Sequence, residues 1–157
     1  MFITVPVPKN EQLNSYAPGS CEREKLKKAL SELHNDFVEI PAIINGKEVK
    51  TGNFGNCIEP HNHQHILAQY HKVNKQEIDL AVEAAMKARI DWEEMPFYHR
   101  SAIFLKAAEL LSTKYRFLLN SATMLGQSKN AYQAEIDSAC ELIDFWRFNA
   151  YYAQKIY

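Results

Sequence analysis

The sequence predicts an α+β fold that is predominantly α-helical with a small antiparallel β-ribbon. Three observations carry this. Apolar residues recur at three- and four-residue spacing over several long stretches, the period of a helix with one buried face. Asn45-Gly46 separates two short β-compatible runs, the arrangement of a type I′ hairpin turn. Beyond that hairpin only two further short strand candidates occur, too few for a large sheet.

Composition sets the outer bounds. The chain has 157 residues, 46% of them hydrophobic, and 18 Lys+Arg against 19 Asp+Glu leave a net charge of −1. That length suits one domain, and the apolar content with near-zero charge excludes a disordered chain. The balance also excludes a nucleic-acid binder acting through a strongly basic surface. No apolar run approaches the roughly 18–20 residues that a membrane span requires. The 3 cysteines, Cys21, Cys57 and Cys140, are odd in number and widely spaced. They form neither a disulfide framework nor a CxxC metal site, which points to a reducing compartment.

Residues 1–20 hold three prolines and scattered polar residues and read as an extended arm, with Phe2, Ile3, Val5 and Val7 weakly alternating. The arm lacks the basic n-region of a secretory signal and the Arg content of a transit peptide. The remainder, 21–157, reads as one helical segment with the ribbon at about 41–72. Ser20 is placed to cap a helix running to about residue 35, with Glu22 and Glu24 in its dipole-favoured first turn. Leu26, Ala29, Leu30, Leu33 and Phe37 form its apolar stripe.

The hairpin spans 41–51, and strand candidates follow at 56–59 and 65–72. Asn74 opens a second helix with Glu77 three residues on, a capping box, and Val73 with Ile78 are spaced as a hydrophobic staple. Ile78, Ala81, Val82, Ala85, Ala88 and Trp92 are expected on its buried side. Pro96 starts a third helix carrying Ile103, Phe104, Ala107, Leu110 and Leu111. A shorter helix covers 114–125, with Gly126 as the residue that ends it. Residues 130–157 contain no Gly or Pro and are expected to form one long helix. Its aromatic residues, Phe145 to Tyr157, surround more of it than one stripe requires. The pattern runs to the last residue without a stop signal. Both features are expected of a piece of something larger; the alternative reading is a helix that frays at a natural C-terminus.

Three groups are candidates for chemistry. His61, His63 and His65 alternate as H-N-H-Q-H, a spacing that puts imidazoles on one face of a strand. Without a supporting Cys or carboxylate spacing, the segment reads as a polar turn, and no metal ligand is assigned. Asp137, Glu141 and Asp144 stand at i, i+4 and i+7 on one helix face, with no basic residue at the matching positions. A solvated acidic face is the plain reading, and a cation or ammonium partner the functional one. Cys140, inside the same helix, reads as a small core residue. No dinucleotide fingerprint, P-loop, H-E-x-x-H or G-x-S-x-G motif occurs.

P-A-I-I-N-G-K-E-V (41–49), A-V-E-A-A-M-K-A-R-I-D-W (81–92) and R-S-A-I-F-L-K-A-A-E-L-L (100–111) resemble the opening of aldehyde dehydrogenases. E-P-H-N-H (59–63), M-L-G-Q-S-K-N-A-Y-Q-A-E-I-D (124–137) and E-L-I-D-F-W-R-F-N-A (141–150) are similar to the N-terminal region of one subfamily, the Δ1-pyrroline-5-carboxylate (L-glutamate γ-semialdehyde) dehydrogenases. So is S-C-E-R-E-K (20–25). The resemblance runs from about residue 5 to the end.

It implies the N-terminal portion of the aldehyde dehydrogenase fold, in an NAD-dependent enzyme that oxidises glutamate γ-semialdehyde to glutamate in proline catabolism. In that family a Cys attacks the aldehyde, NAD takes the hydride, and a Glu activates the hydrolytic water. By the resemblance both residues and the NAD site lie beyond this chain, so the segment alone is expected to be inactive. No catalytic, cofactor-binding or metal residue is carried onto it. Glu141 alone is carried over, as the substrate-binding carboxylate near the α-amino group. The implied partners are the remaining catalytic and cofactor domain, a small-molecule substrate and further copies in a homo-oligomer, with no nucleic acid and no membrane. The implied location is cytoplasmic, or the mitochondrial matrix in a eukaryote. The alternative is a free-standing helical interaction module derived from the family.

Overall fold

The computed structural model describes residues 4–156; Phe2, Ile3 and Tyr157 of the patterns above lie outside them. Helix α1 (Cys21–Asn35) begins at Ser20, whose side chain accepts a hydrogen bond from the Arg23 amide. Only Leu26 of its apolar stripe is buried. Helix α2 (Lys75–Glu94) has the predicted capping box, with Asn74 and Glu77 satisfying each other's backbone amides.

Between these helices lie five strands: β1 (Val38–Ile40), β2 (Ala42–Ile44), β3 (Lys47–Val49), β4 (Phe54–Glu59) and β5 (Asn62–His71). β2 and β3 form the predicted hairpin, with Asn45 and Gly46 both at positive φ (52° and 71°) as a type I′ turn needs. β4 pairs antiparallel with β5. The expectation of a purely antiparallel ribbon starting near residue 41 needs correcting. β1 precedes it and pairs parallel with β5, giving a separate three-stranded sheet in the order β1-β5-β4. Its short V-E-I run shows no period, and α1 rather than a tight turn delivers it to that edge. A buried histidine ties the pieces together. His71 Nδ1 accepts from the Gly52 amide at 3.1 Å, so its Nε2 donates to Glu39 of β1 at 3.0 Å. Glu39 also pairs with Lys50 at 2.9 Å.

The helical layer consists of α3 (Phe97–Leu110), α4 (Arg116–Gln127), α5 (Ala131–Ala134) and α6 (Glu141–Ile156). Pro96 stands at the cap position before α3. A π-helical turn, Leu111–Tyr115, joins α3 to α4. Ser112 and Thr113 side chains both donate to the Glu109 carbonyl there, supplementing the backbone bonding of the wider turn. The residue ending α4 is Ser128 (φ 54°), not Gly126. A second π-helical turn, Glu135–Cys140, lies between α5 and α6, so the long final helix is present but not uniform. The core is Ala108, Leu111, Ala139 and Ile143, with Leu119, Leu142 and Trp146 packed against it.

Helix α2 contradicts one expectation. No residue of it is buried, and Ile78, Val82 and Trp92 are exposed. The apolar stripe is present, but the described residues place almost nothing against it beyond an edge of β2. The aromatic residues Phe145 and Tyr152 of α6 are likewise exposed.

Candidate functional site

The site is built where the arm crosses the helical layer. Asn10 Nδ2 and the Glu11 amide donate to the two carboxylate oxygens of Asp144, each at 2.7 Å. The Val5 amide donates to Gln154 at 2.5 Å, so the arm runs along α6. Glu11 is also held by Arg116 and Arg147, each at 2.6 Å. The chain then turns at Tyr16, a non-glycine residue at φ 52°, which aims its phenol inward.

That phenol meets a buried polar cluster. Glu135 has no solvent exposure and Arg116 has 5%. Arg116 donates to Glu135 and to the Gln12 carbonyl. Tyr16 Oη, Asn120 Nδ2 and the Asn14 amide also donate to the Glu135 carboxylate, at 2.6–2.7 Å. Burial alone would raise the Glu135 pKa, but the hydrogen bonds from Arg116, Tyr16 and Asn14 outweigh it and hold the carboxyl below its usual range. Burial, followed by the bond to Glu135, pushes the Tyr16 phenol up to about 12. Arg116 remains charged, because Glu135 and Glu11 offset the desolvation that opposes it. Cys140 lies against the same pair, and burial with the nearby Glu135 charge raises its thiol to about 11. Its place is in the core, as its position mid-helix predicted.

With the arm in place, the acidic face reads differently from its sequence. The π turn contains Asp137 and ends just before Glu141, so regular i, i+4 spacing does not hold between them. Asp137 has a basic partner after all, Lys129 at 2.7 Å, supplied from the connection before α5. Asp144 is taken by the arm. Glu141 is exposed and has no hydrogen-bond or ion-pair partner among the described residues. It lines an open groove of about 350 Å³ with Asn10, Asp144, Phe145 and Phe148. A carboxylate beside two aromatic rings is suited to an ammonium group.

The sequence pattern did not point to the cluster around Glu135. The residues that donate to Glu135 lie 15 to 121 residues from it in sequence, on the arm and on α4. The available signal was the placement of Arg116 and Glu135 inside otherwise apolar helical stretches. Of the three alternating histidines, the structure places His65 with His34 and Glu59, puts His61 at the rim of that group, and leaves His63 exposed.

No helix among the described residues is long and apolar enough to cross a membrane. The model of the aldehyde dehydrogenase family matches residues 47–157. The delta-1-pyrroline-5-carboxylate dehydrogenase of Agaricus bisporus is 47% identical over 154 residues, covering 98% of this chain and 28% of that protein. The mitochondrial delta-1-pyrroline-5-carboxylate dehydrogenase of Dictyostelium discoideum is 46% identical over 153 residues, covering 98% and 27%. The crystal structure of the delta-pyrroline-5-carboxylate dehydrogenase from Mycobacterium tuberculosis bound with NAD matches with a TM-score of 0.96 and 43% identity, covering 99% of this chain and 29% of that one. The chain therefore spans a little over a quarter of the length of these relatives. The family match over 111 residues (157 − 47 + 1) and the α+β architecture lead to one conclusion: the chain belongs to the aldehyde dehydrogenase family.

Proposed function

We propose that this chain is the N-terminal segment of an NAD-dependent dehydrogenase that oxidises L-glutamate γ-semialdehyde, the open form of 1-pyrroline-5-carboxylate, to glutamate in proline catabolism. The likeness over 98% of the chain to delta-1-pyrroline-5-carboxylate dehydrogenases carries this reading. The segment contributes structure and one substrate contact, while the catalytic Cys and Glu belong to the rest of the enzyme. NAD accepts the hydride in the complete protein. β5 passes into α2 through Lys72, Val73 and Asn74 with no glycine to admit a pyrophosphate, so no contact to NAD is assigned here.

Glu141 is the substrate-binding residue of this proposal. Its carboxylate accepts hydrogen bonds from the substrate's α-ammonium, and Phe145 and Phe148 limit competing solvation on either side. What supports it is that Glu141 has no internal partner among the described residues, when Asp137 and Asp144 each have one. The exposed apolar stripe of α2 is where the remaining catalytic and cofactor domain packs. The enzyme acts as a homo-oligomer in the cytoplasm, or in the mitochondrial matrix of a eukaryote.

The test is NAD reduction by the full-length protein with glutamate γ-semialdehyde. The proposal expects turnover, and a raised KM in Glu141→Ala. Absence of turnover with this substrate refutes the assignment of activity. Unchanged KM and kcat in Glu141→Ala would remove Glu141 from the substrate site while leaving the activity standing.

A further inference from the structure

Two carboxylates are buried among the described residues, and their surroundings differ in kind. Glu135 is met by a guanidinium, a phenol, a carboxamide and a backbone amide. Glu59 is equally withdrawn, at 2% exposure, yet every charged or ionisable side chain within ion-pair distance of it is an imidazole. A buried carboxylate needs a compensating positive charge.

The geometry around it is that of a ligand set. His34 Nδ1 stands 3.3 Å from Glu59 Oε1 and His65 Nδ1 stands 3.4 Å from Oε2. The three residues offer ligand atoms all within 4.8 Å of one another. A tetrahedral zinc with bonds of about 2.0–2.1 Å separates its ligands by about 3.3–3.4 Å. His65 Nδ1 is buried and makes no hydrogen bond. The two rings lie 4.2 Å apart, centroid to centroid, with both nitrogens turned to the same carboxylate. His61 stands at the rim of this group, outside the set of mutually close ligand atoms. Its Nε2 is 3.7 Å from Glu59, too far for a hydrogen bond, while its Nδ1 is 2.7 Å from Ser128 Oγ. When Nδ1 donates to Ser128, Nε2 presents its lone pair toward the cluster, the orienting device common to histidine ligands.

The elements converge from three directions. His34 comes from the last turn of α1, Glu59 from the end of β4, and His65 from β5 past the turn. The β4–β5 ladder shifts register between Cys57 and Glu59, which re-aims Glu59 inward. We propose that His34, Glu59 and His65 bind a divalent cation of the zinc class that joins α1 to the β4–β5 hairpin. The chemistry is structural: two imidazoles and one carboxylate hold the cation, which places a positive charge beside Glu59.

The test uses the full-length protein, stripped with chelator and titrated with Zn²⁺ by calorimetry. One saturable site per chain is expected, lost in His34→Gln and in His65→Gln and retained in His63→Gln, whose ring lies outside the cluster. Co²⁺ loading of the wild-type protein is a second measurement that needs no variant. It should give the visible absorption of a tetrahedral nitrogen–oxygen site without a thiolate charge-transfer band. No saturable heat overturns the proposal. So does zinc binding that survives the paired substitution of His34 and His65, or a cobalt spectrum dominated by thiolate, either of which places the metal elsewhere.

Discussion

Arg116 and Glu135 form an ion pair in the interior of the helical layer, and the same guanidinium reaches out to Glu11 of the arm. One side chain thus neutralises the buried carboxylate and fastens the first segment of the chain across α6. The arm then passes beside Glu141, bringing Asn10 into the same groove.

Arg116→Met leaves Glu135 charged with no cation beside it. Breaking one side of a buried pair costs about 3–5 kcal/mol. The expected result is a loss of that size in urea unfolding of the full-length protein. Replacing both residues, Arg116→Met with Glu135→Gln, should cost less than the sum of the two single changes, because no uncompensated charge remains. Additive losses would show that the pair does not couple.

The same site sets a dependence on acid. The folded state holds the Glu135 carboxyl below its ordinary value of 4.5. Its contribution is therefore present above the unfolded value and is lost as pH falls through the folded value. Denaturant midpoints measured from pH 6 downward should drop below about pH 4.5, and the drop should be smaller in the doubly substituted protein.

The cysteines should separate by reactivity. Cys21 is exposed, whereas Cys140 is buried and its thiol is raised to about 11. Thiolate is the attacking form, so iodoacetamide at neutral pH should label Cys21 well before Cys140. Peptide mass spectrometry over a time course reads the order directly. Equal labelling would mean that the core around Cys140 opens on that timescale.

The capping box at Asn74 gives a local test. Its side chain accepts from the Gln76 amide at 2.8 Å, and Glu77 returns the bond to the Asn74 amide at 2.8 Å. Asn74→Ala should destabilise by about 1 kcal/mol. Faster amide exchange confined to the first turn of α2 is the expected signature.

Local patterns predicted the helices well because caps and periods are local. Ser20, Asn74 and the Asn45-Gly46 turn each act within three residues of themselves. Strand β1 escaped notice because three residues carry no period, and its parallel partner lies 30 residues away. The two π turns escaped for a related reason. Each adds one residue to an otherwise continuous apolar pattern, and the pattern alone does not show where.

The acidic face shows where a local argument ends. Spacing on a uniform helix put Asp137, Glu141 and Asp144 together without partners. The folded chain supplies Lys129 to one and the arm to another, leaving Glu141 unpaired among the described residues. The sequence alone determined the N-terminal caps of α1 and α2, the hairpin and the family, all of which rest on neighbouring residues or on motifs read in order. Only the tertiary structure decided which carboxylates are neutralised and which remain available. Charge pairing depends on distance in space, and the partners of Glu135 and Asp144 come from segments that the chain order keeps far apart.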